Sequence, residues 1–134
     1  MQRISETVKH LLIINCIFFL ASLIVGESMY DFFALHFPDS PKFEYWQIIT
    51  HMFMHGDFSH ILFNMIGLWM FGTPMEQMWG KNKFIFYYLS TGLGAALLQI
   101  TIYYYQVNQV NEFFSDLNLN SSIISEFYLS SRLP

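Results

Sequence analysis

The sequence predicts an all-α membrane protein, and three observations carry that expectation. Of its 134 residues, 54% are apolar and 19% aromatic, but only 12% are charged, about half the charged share of an ordinary soluble domain. Three stretches free of Asp, Glu, Lys and Arg, residues 10–26, 58–75 and 84–111, are each bounded by charged residues. Each comes close to or exceeds the roughly 20 helical residues that cross a bilayer core, where only helices and closed barrels satisfy the backbone. The lipid bilayer is therefore the first partner expected. A net charge of −4 is too small to point to nucleic acid, and no glycine-rich phosphate loop, paired-cysteine motif or basic stripe occurs. No nucleic-acid partner and no cofactor is expected.

The first helix is expected over about 9–26. Arg3 and Lys9 precede it, and Asn15 and Ser22 are polar groups that a packed helix in lipid tolerates. A basic start followed by an apolar run also resembles a secretory signal peptide. No small-x-small cleavage site follows it, and the later apolar stretches favour the first of several helices. Cys16 is the one cysteine, so no intrachain disulfide forms and redox compartment is not readable.

Residues 27–56 form a connection crowded with aromatic and aliphatic side chains, among them Tyr30, Phe32, Phe33, Phe37, Phe43, Tyr45 and Trp46. Aromatic rings favour the headgroup level, so this connection is expected to lie in the membrane interface and to be partly helical. Pro38 and Pro41 divide it, and a second piece opens near Phe43.

The second helix is expected over about 57–76 and the third over about 83–105. Ser90 and Gly94, with Gly92 and Ala96, stand at four-residue spacings suited to close packing in the third. A polar tail richer in Asn and Ser is expected over 106–134. Arg3 and Lys9 before the first helix and Lys81 and Lys83 before the third put both clusters on the cytoplasmic side. The protein is thus expected to be multi-pass with a cytoplasmic N-terminus. The acid-rich 27–44 connection and the segment carrying Glu112, Asp116 and Glu126 then face the other side.

Chemistry concentrates between Trp46 and Gly80. Three histidines, His51, His55 and His60, fall within ten residues. On a helix His60 and Asn64 share a face, which Gly67 and Phe71 continue. Polar side chains converging inside a membrane call for a function or a partner. The His51/His55 spacing also suits a zinc site with His60 as third ligand, although zinc helices of this kind normally add an acidic residue and none stands between them. Hydrogen bonding of His51 and His55 to loop backbone is the other reading, and interhelical pairing is open for His60 and Asn64.

Trp46, Thr50, His51, His55, His60 and Asn64, then Phe71-Gly72, Glu76 and Gly80, stand in an order and spacing that resemble the rhomboid family of intramembrane serine proteases. The resemblance covers residues 10–105, most strongly 46–80. It implies the first three transmembrane helices of a six-helix bundle, with a partly helical interfacial loop between the first and second. It further implies a serine endopeptidase acting on transmembrane substrates, in which His60 and Asn64 stabilise the oxyanion of the tetrahedral intermediate. Glu76 and Gly80 are expected to be a helix-end partner and a turn.

In that family the nucleophile lies in a Gly-x-Ser-Gly motif on the fourth helix and its base is a histidine on the sixth. These 134 residues hold no Gly-x-Ser-Gly, and their last histidine is His60. The chain is therefore expected to be the N-terminal portion of such an enzyme, cut off before the serine helix and inactive alone. The alternative is a non-catalytic rhomboid-like protein that binds transmembrane clients. Two departures stand out: Trp46-Gln47 where the family commonly has Trp-Arg, and a longer segment after the third helix.

Overall fold

The computed structural model describes residues 3–117 together with residues 122 and 123. Every regular element among them is helical. Helix α1 spans Glu6–Val25 and α2 spans Glu27–Phe33. A short α3, Gln47–Thr50, runs into a 3₁₀ turn at His51–Phe53. Then α4, Phe58–Gly67, passes through a π turn at Leu68–Gly72 into α5, Thr73–Trp79, and α6 runs Lys81–Asp116.

Two of these helices, α1 and α6, are long and apolar enough to cross a membrane, with mean hydropathies of 2.2 and 1.4. A core helix of a soluble protein meets the same length test but hides its apolar face. Here only 17% and 6% of the most apolar windows are buried within the chain, which leaves those faces for lipid or for further protein. Ile17, Leu20, Leu23 and Ile24 of α1 and Phe86, Leu97 and Leu98 of α6 are all exposed.

The helix ends follow from local chemistry. Gly26 (φ 73°) and Gly80 (φ 82°) adopt the left-handed backbone that side chains disfavour. Gly26 N donates to Ser22 O and closes α1, while Gly80 N donates to Glu76 O and closes α5. Helix α4 opens at Asp57, whose carboxylate accepts from His60 N at 2.8 Å, as an N-cap does.

The chain does not run from Phe58 to Trp79 as one regular helix. Pro74 stands inside that run, lacks an N–H and clashes with the preceding turn of a regular helix. The wider π turn just before it absorbs the misfit. A π turn takes one residue more than an α turn, so the inward face shifts. The row expected to continue through Gly67 and Phe71 instead passes through Leu68 and Gly72. Phe71 is 66% exposed while Gly72 is buried.

At Gly72 three segments meet. A methyl group there would lie 3.0 Å from Val8 Cγ2 of α1 and 3.2 Å from Phe84 Cζ of α6, and Val8 and Phe84 are themselves almost wholly buried. The loop side is joined by rings: Phe18 of α1 packs on Phe33 at 5.3 Å and on Phe53 at 5.6 Å, and Phe37 packs on Tyr104 of α6 at 4.7 Å.

The third helix also differs from expectation at its far end. It continues past Tyr105 to Asp116, so residues 106–116 are helix and not polar tail. No Gly or Pro interrupts residues 97–117, and Tyr103, Val107, Val110 and Phe114 maintain a helical stripe that is withdrawn from solvent. At 36 residues the helix is about 54 Å long. Most of the remaining tail, residues 118–121 and 124–134, lies outside the described residues.

Candidate functional site

The site is built by the loop, the α4 half of the π-interrupted helix, and the facing surfaces of α1 and α6. His60 and Asn64 are one turn apart on α4, and both line an open cavity of about 540 Å³. His51 and His55 line it from the loop side, Asn15 from α1, and Tyr88 and Gln99 from α6. The expected site residues are thus brought to one place.

Each histidine is set differently. His51 is half-buried, and its Nδ1 lies 3.0 Å from Gln47 O. His55 is only 2% exposed, with Nδ1 3.2 Å from Phe53 O and its ring edge-on to His60 at 5.2 Å. Loss of water around them pushes both below the ordinary histidine value, against the opposing pull of those backbone carbonyls. Both therefore sit as neutral imidazoles at neutral pH.

His60 and Asn64 are held by backbone position and not by side-chain bonds. The Asp57 cap fixes the first turn, since Oδ1 accepts from both His60 N and Ser59 Oγ. The Ser59 hydroxyl is the leading cause that holds the Asp57 carboxyl below its usual range, with His60 N–H adding to it. That Ser59–Asp57 pair is helix-cap chemistry. Ser59 bonds a carboxylate and not a histidine base, so it is not set up as a nucleophile. Among the described residues no hydrogen bond is made by the Asn64 amide, which leaves its donors available to a group in the cavity.

The loop wall is fastened by a residue that sequence reasoning treated as a minor departure. Gln47 is fully buried and ties α2 to the segment after it: Nε2 donates to Lys42 O at 2.9 Å and Asp31 O at 3.2 Å, while Oε1 accepts from Glu44 N and His36 N. Trp46 Nε1 donates to Phe32 O, and Thr50 Oγ1 to Phe33 O. The loop is also seated on α6, where a Cβ on Gly92 would run into Met52 Sδ and Cε. The close-packing row is accordingly Gly92 with Ala96, both buried, whereas Gly94 has open space around it.

Two further contacts escaped the sequence. Asn15 is 1% exposed and Nδ2 donates to Leu11 O, back-bonding its own helix beside the cavity. Pro74, whose effect on the inward face is described above, falls inside the helix expected over 57–76 and was not singled out there. For metal, no group of three or more His, Cys, Asp or Glu side chains among the described residues stands close enough to hold an ion. The His51/His55 spacing thus leads there to backbone carbonyls and not to a ligand set.

Comparison with known proteins bears on the same stretch. The family model described as Rhomboid domain matches residues 42–109. The chain is 39% identical over 64 residues to Rhomboid protease GlpG of Salmonella newport (strain SL254), covering 48% of this chain and 23% of that protein. It is 33% identical over 54 residues to Rhomboid protease GluP of Bacillus subtilis (strain 168), covering 40% of this chain and 11% of that protein. The chain therefore spans less than a quarter of the length of either relative.

Proposed function

From the premise that this chain belongs to the rhomboid family, and is an integral membrane protein, we propose that it forms the oxyanion side of an intramembrane serine endopeptidase acting on transmembrane protein substrates. The observation that carries this reading is the placement of His60 and Asn64 one turn apart on the wall of one cavity, with no hydrogen bond made by the Asn64 side chain among the described residues. Side-chain donors already aimed at the place where negative charge develops on oxygen stabilise it without reorganising at the moment of reaction.

In this reading the segment from Phe58 to Trp79 crosses the membrane between α1 and α6, as the second of three spans in a rhomboid-like bundle. The N-terminus, Lys81 and Lys83 face the cytoplasm. Residues 27–56 lie in the opposite interface and form the rim of the cavity. A substrate helix enters there with its scissile carbonyl directed at the donors. A serine nucleophile attacks that carbonyl, a histidine base accepts the serine proton, and His60 and Asn64 take the charge that develops on oxygen. Neither residue is the base.

Serine and base must come from outside these 134 residues, which hold no Gly-x-Ser-Gly and no histidine after His60. The chain alone is expected to leave a transmembrane substrate uncut. The test uses a polypeptide that joins it to a Gly-x-Ser-Gly helix and a later histidine. Asn64→Ala there is expected to lower kcat by about 10²–10³-fold with little change in KM. An unchanged kcat would refute the role. The second reading, client binding without cleavage, is favoured if the coding region beyond Pro134 lacks either residue.

A further inference from the structure

We infer that Gln47 is the positioning residue of the cavity's loop wall, and that it acts through a carboxamide that both accepts and donates, a role no donor-only side chain can fill.

The case rests on the bonds themselves. The connection doubles back so that the carbonyls of Asp31 and Phe32, in the last turn of α2, face the segment that carries Lys42 and Glu44, leaving backbone groups of both signs directed inward. Gln47 sits between them with no exposed surface. Its Nε2 satisfies Lys42 O (2.9 Å) and Asp31 O (3.2 Å) and reaches Phe32 O at 3.5 Å. Its Oε1 satisfies Glu44 N (3.1 Å) and His36 N (3.3 Å).

An arginine offers five donors and no acceptor, so at this position the part-buried Glu44 and His36 amides would lose the acceptor they now share. Leaving such groups unpaired costs more than the mean hydrogen bond is worth. The same residue reaches the cavity, because its carbonyl oxygen holds the Nδ1 of His51, a cavity-lining side chain. Loop register and imidazole orientation are thus tied to one buried residue.

The inference rests on the proposed reading only in taking this cavity as the working site. Its test involves no cleavage, so the two fail separately. The chain is placed in lipid nanodiscs, and amide exchange and histidine ring ¹⁵N signals are followed by NMR. In Gln47→Arg the Glu44 and His36 amides are expected to exchange at least tenfold faster and the His51 ring signals to move, while amides in α1 and α6 keep their protection. Retained protection of both amides, or unmoved His51 signals, overturns the inference.

Should Gln47→Arg lose the fold altogether, Gln47→Glu decides. It keeps the acceptor but turns a carboxylate oxygen toward two carbonyls, so protonation restores a donor. Its loop is expected to tighten as pH falls. Asp31 with its ion-pair partner Lys42 at 2.8 Å, together with His36, Glu44 and His51, are the charged and ionisable groups around the site, and the parent chain carries them too. The parent therefore provides the baseline, and a Gln47→Glu loop that follows the parent's pH dependence overturns the inference.

Discussion

Glu76 and Thr7, 69 positions apart, are joined twice: Glu76 Oε1 accepts from the Thr7 backbone N–H at 3.2 Å and from its hydroxyl at 2.6 Å. With Oε2 accepting from Val8 N at 3.2 Å, the carboxylate caps α1 from another helix. Ser5, at the N-cap position, makes no cap bond of its own. The first helix thus borrows its anion from α5, at the end where the helix dipole is positive.

Glu76→Ala should therefore lower stability by about 1.5–3 kcal/mol, the range for hydrogen bonds to a charged group. Glu76→Gln should cost less, because one acceptor oxygen remains. Unfolding of detergent-solubilised protein, compared across both variants, measures the difference. Equal stability of Glu76→Ala and the parent would contradict the capping role.

Asp57→Ala should loosen the first turn of α4, as N-cap replacements do, and Asp57→Ser should recover most of the loss. Because His60 sits in that turn, faster amide exchange at residues 59–61 in Asp57→Ala is the local readout. Exchange confined to the loop before Asp57 would count against it.

Gly92 and Gly94 should respond in opposite directions to alanine. At Gly92 a methyl group displaces Met52, and overpacking of this kind costs about 1–3 kcal/mol. At Gly94 nothing lies within 4 Å, so alanine gains up to about 1 kcal/mol of helix propensity. Thermal unfolding midpoints that move the same way for both would refute the assignment of the packed row.

Acid should destabilise the loop wall. His51 and His55 have folded-state values lowered by burial from the ordinary 6.5, so the unfolded chain binds protons more readily than the folded one. Their contribution is fully present above about pH 6.5 and is lost as pH falls through the lowered values. Asp57 titrates in the same sense but only in the carboxylate range. A stability profile measured from pH 8 to pH 5 should fall at its acid end, and His55→Asn should flatten it. A profile that is level over this range would refute the burial argument.

The two long apolar helices, the one-turn spacing of His60 and Asn64 on a helix and the turn at Gly80 were legible because each depends on local composition or helical spacing. Gln47 was not legible as a hub. Its five partners lie on a doubled-back loop, and nothing in a one-dimensional pattern says that inward-facing amides and carbonyls meet there. The length of α6 was misjudged because Asn and Ser read as tail, although neither stops a helix whose apolar stripe continues. Phe71 was placed inward on a regular period, which Pro74 breaks.

The π turn has one more consequence. Along a regular α-helix each residue turns the chain by about 100°, so winding the same residues without the π turn would rotate the His60 and Asn64 face away from the face that holds Gly72 and Glu76. The bearing of His60 and Asn64 is therefore kept in phase with the helix's anchor by a single surplus residue, much as a spacer sets the timing between two gears. Straightening the helix with Pro74→Ala alone should put them out of step. Deleting Phe71 together with that substitution should bring them back, in a helix with no wide turn at all.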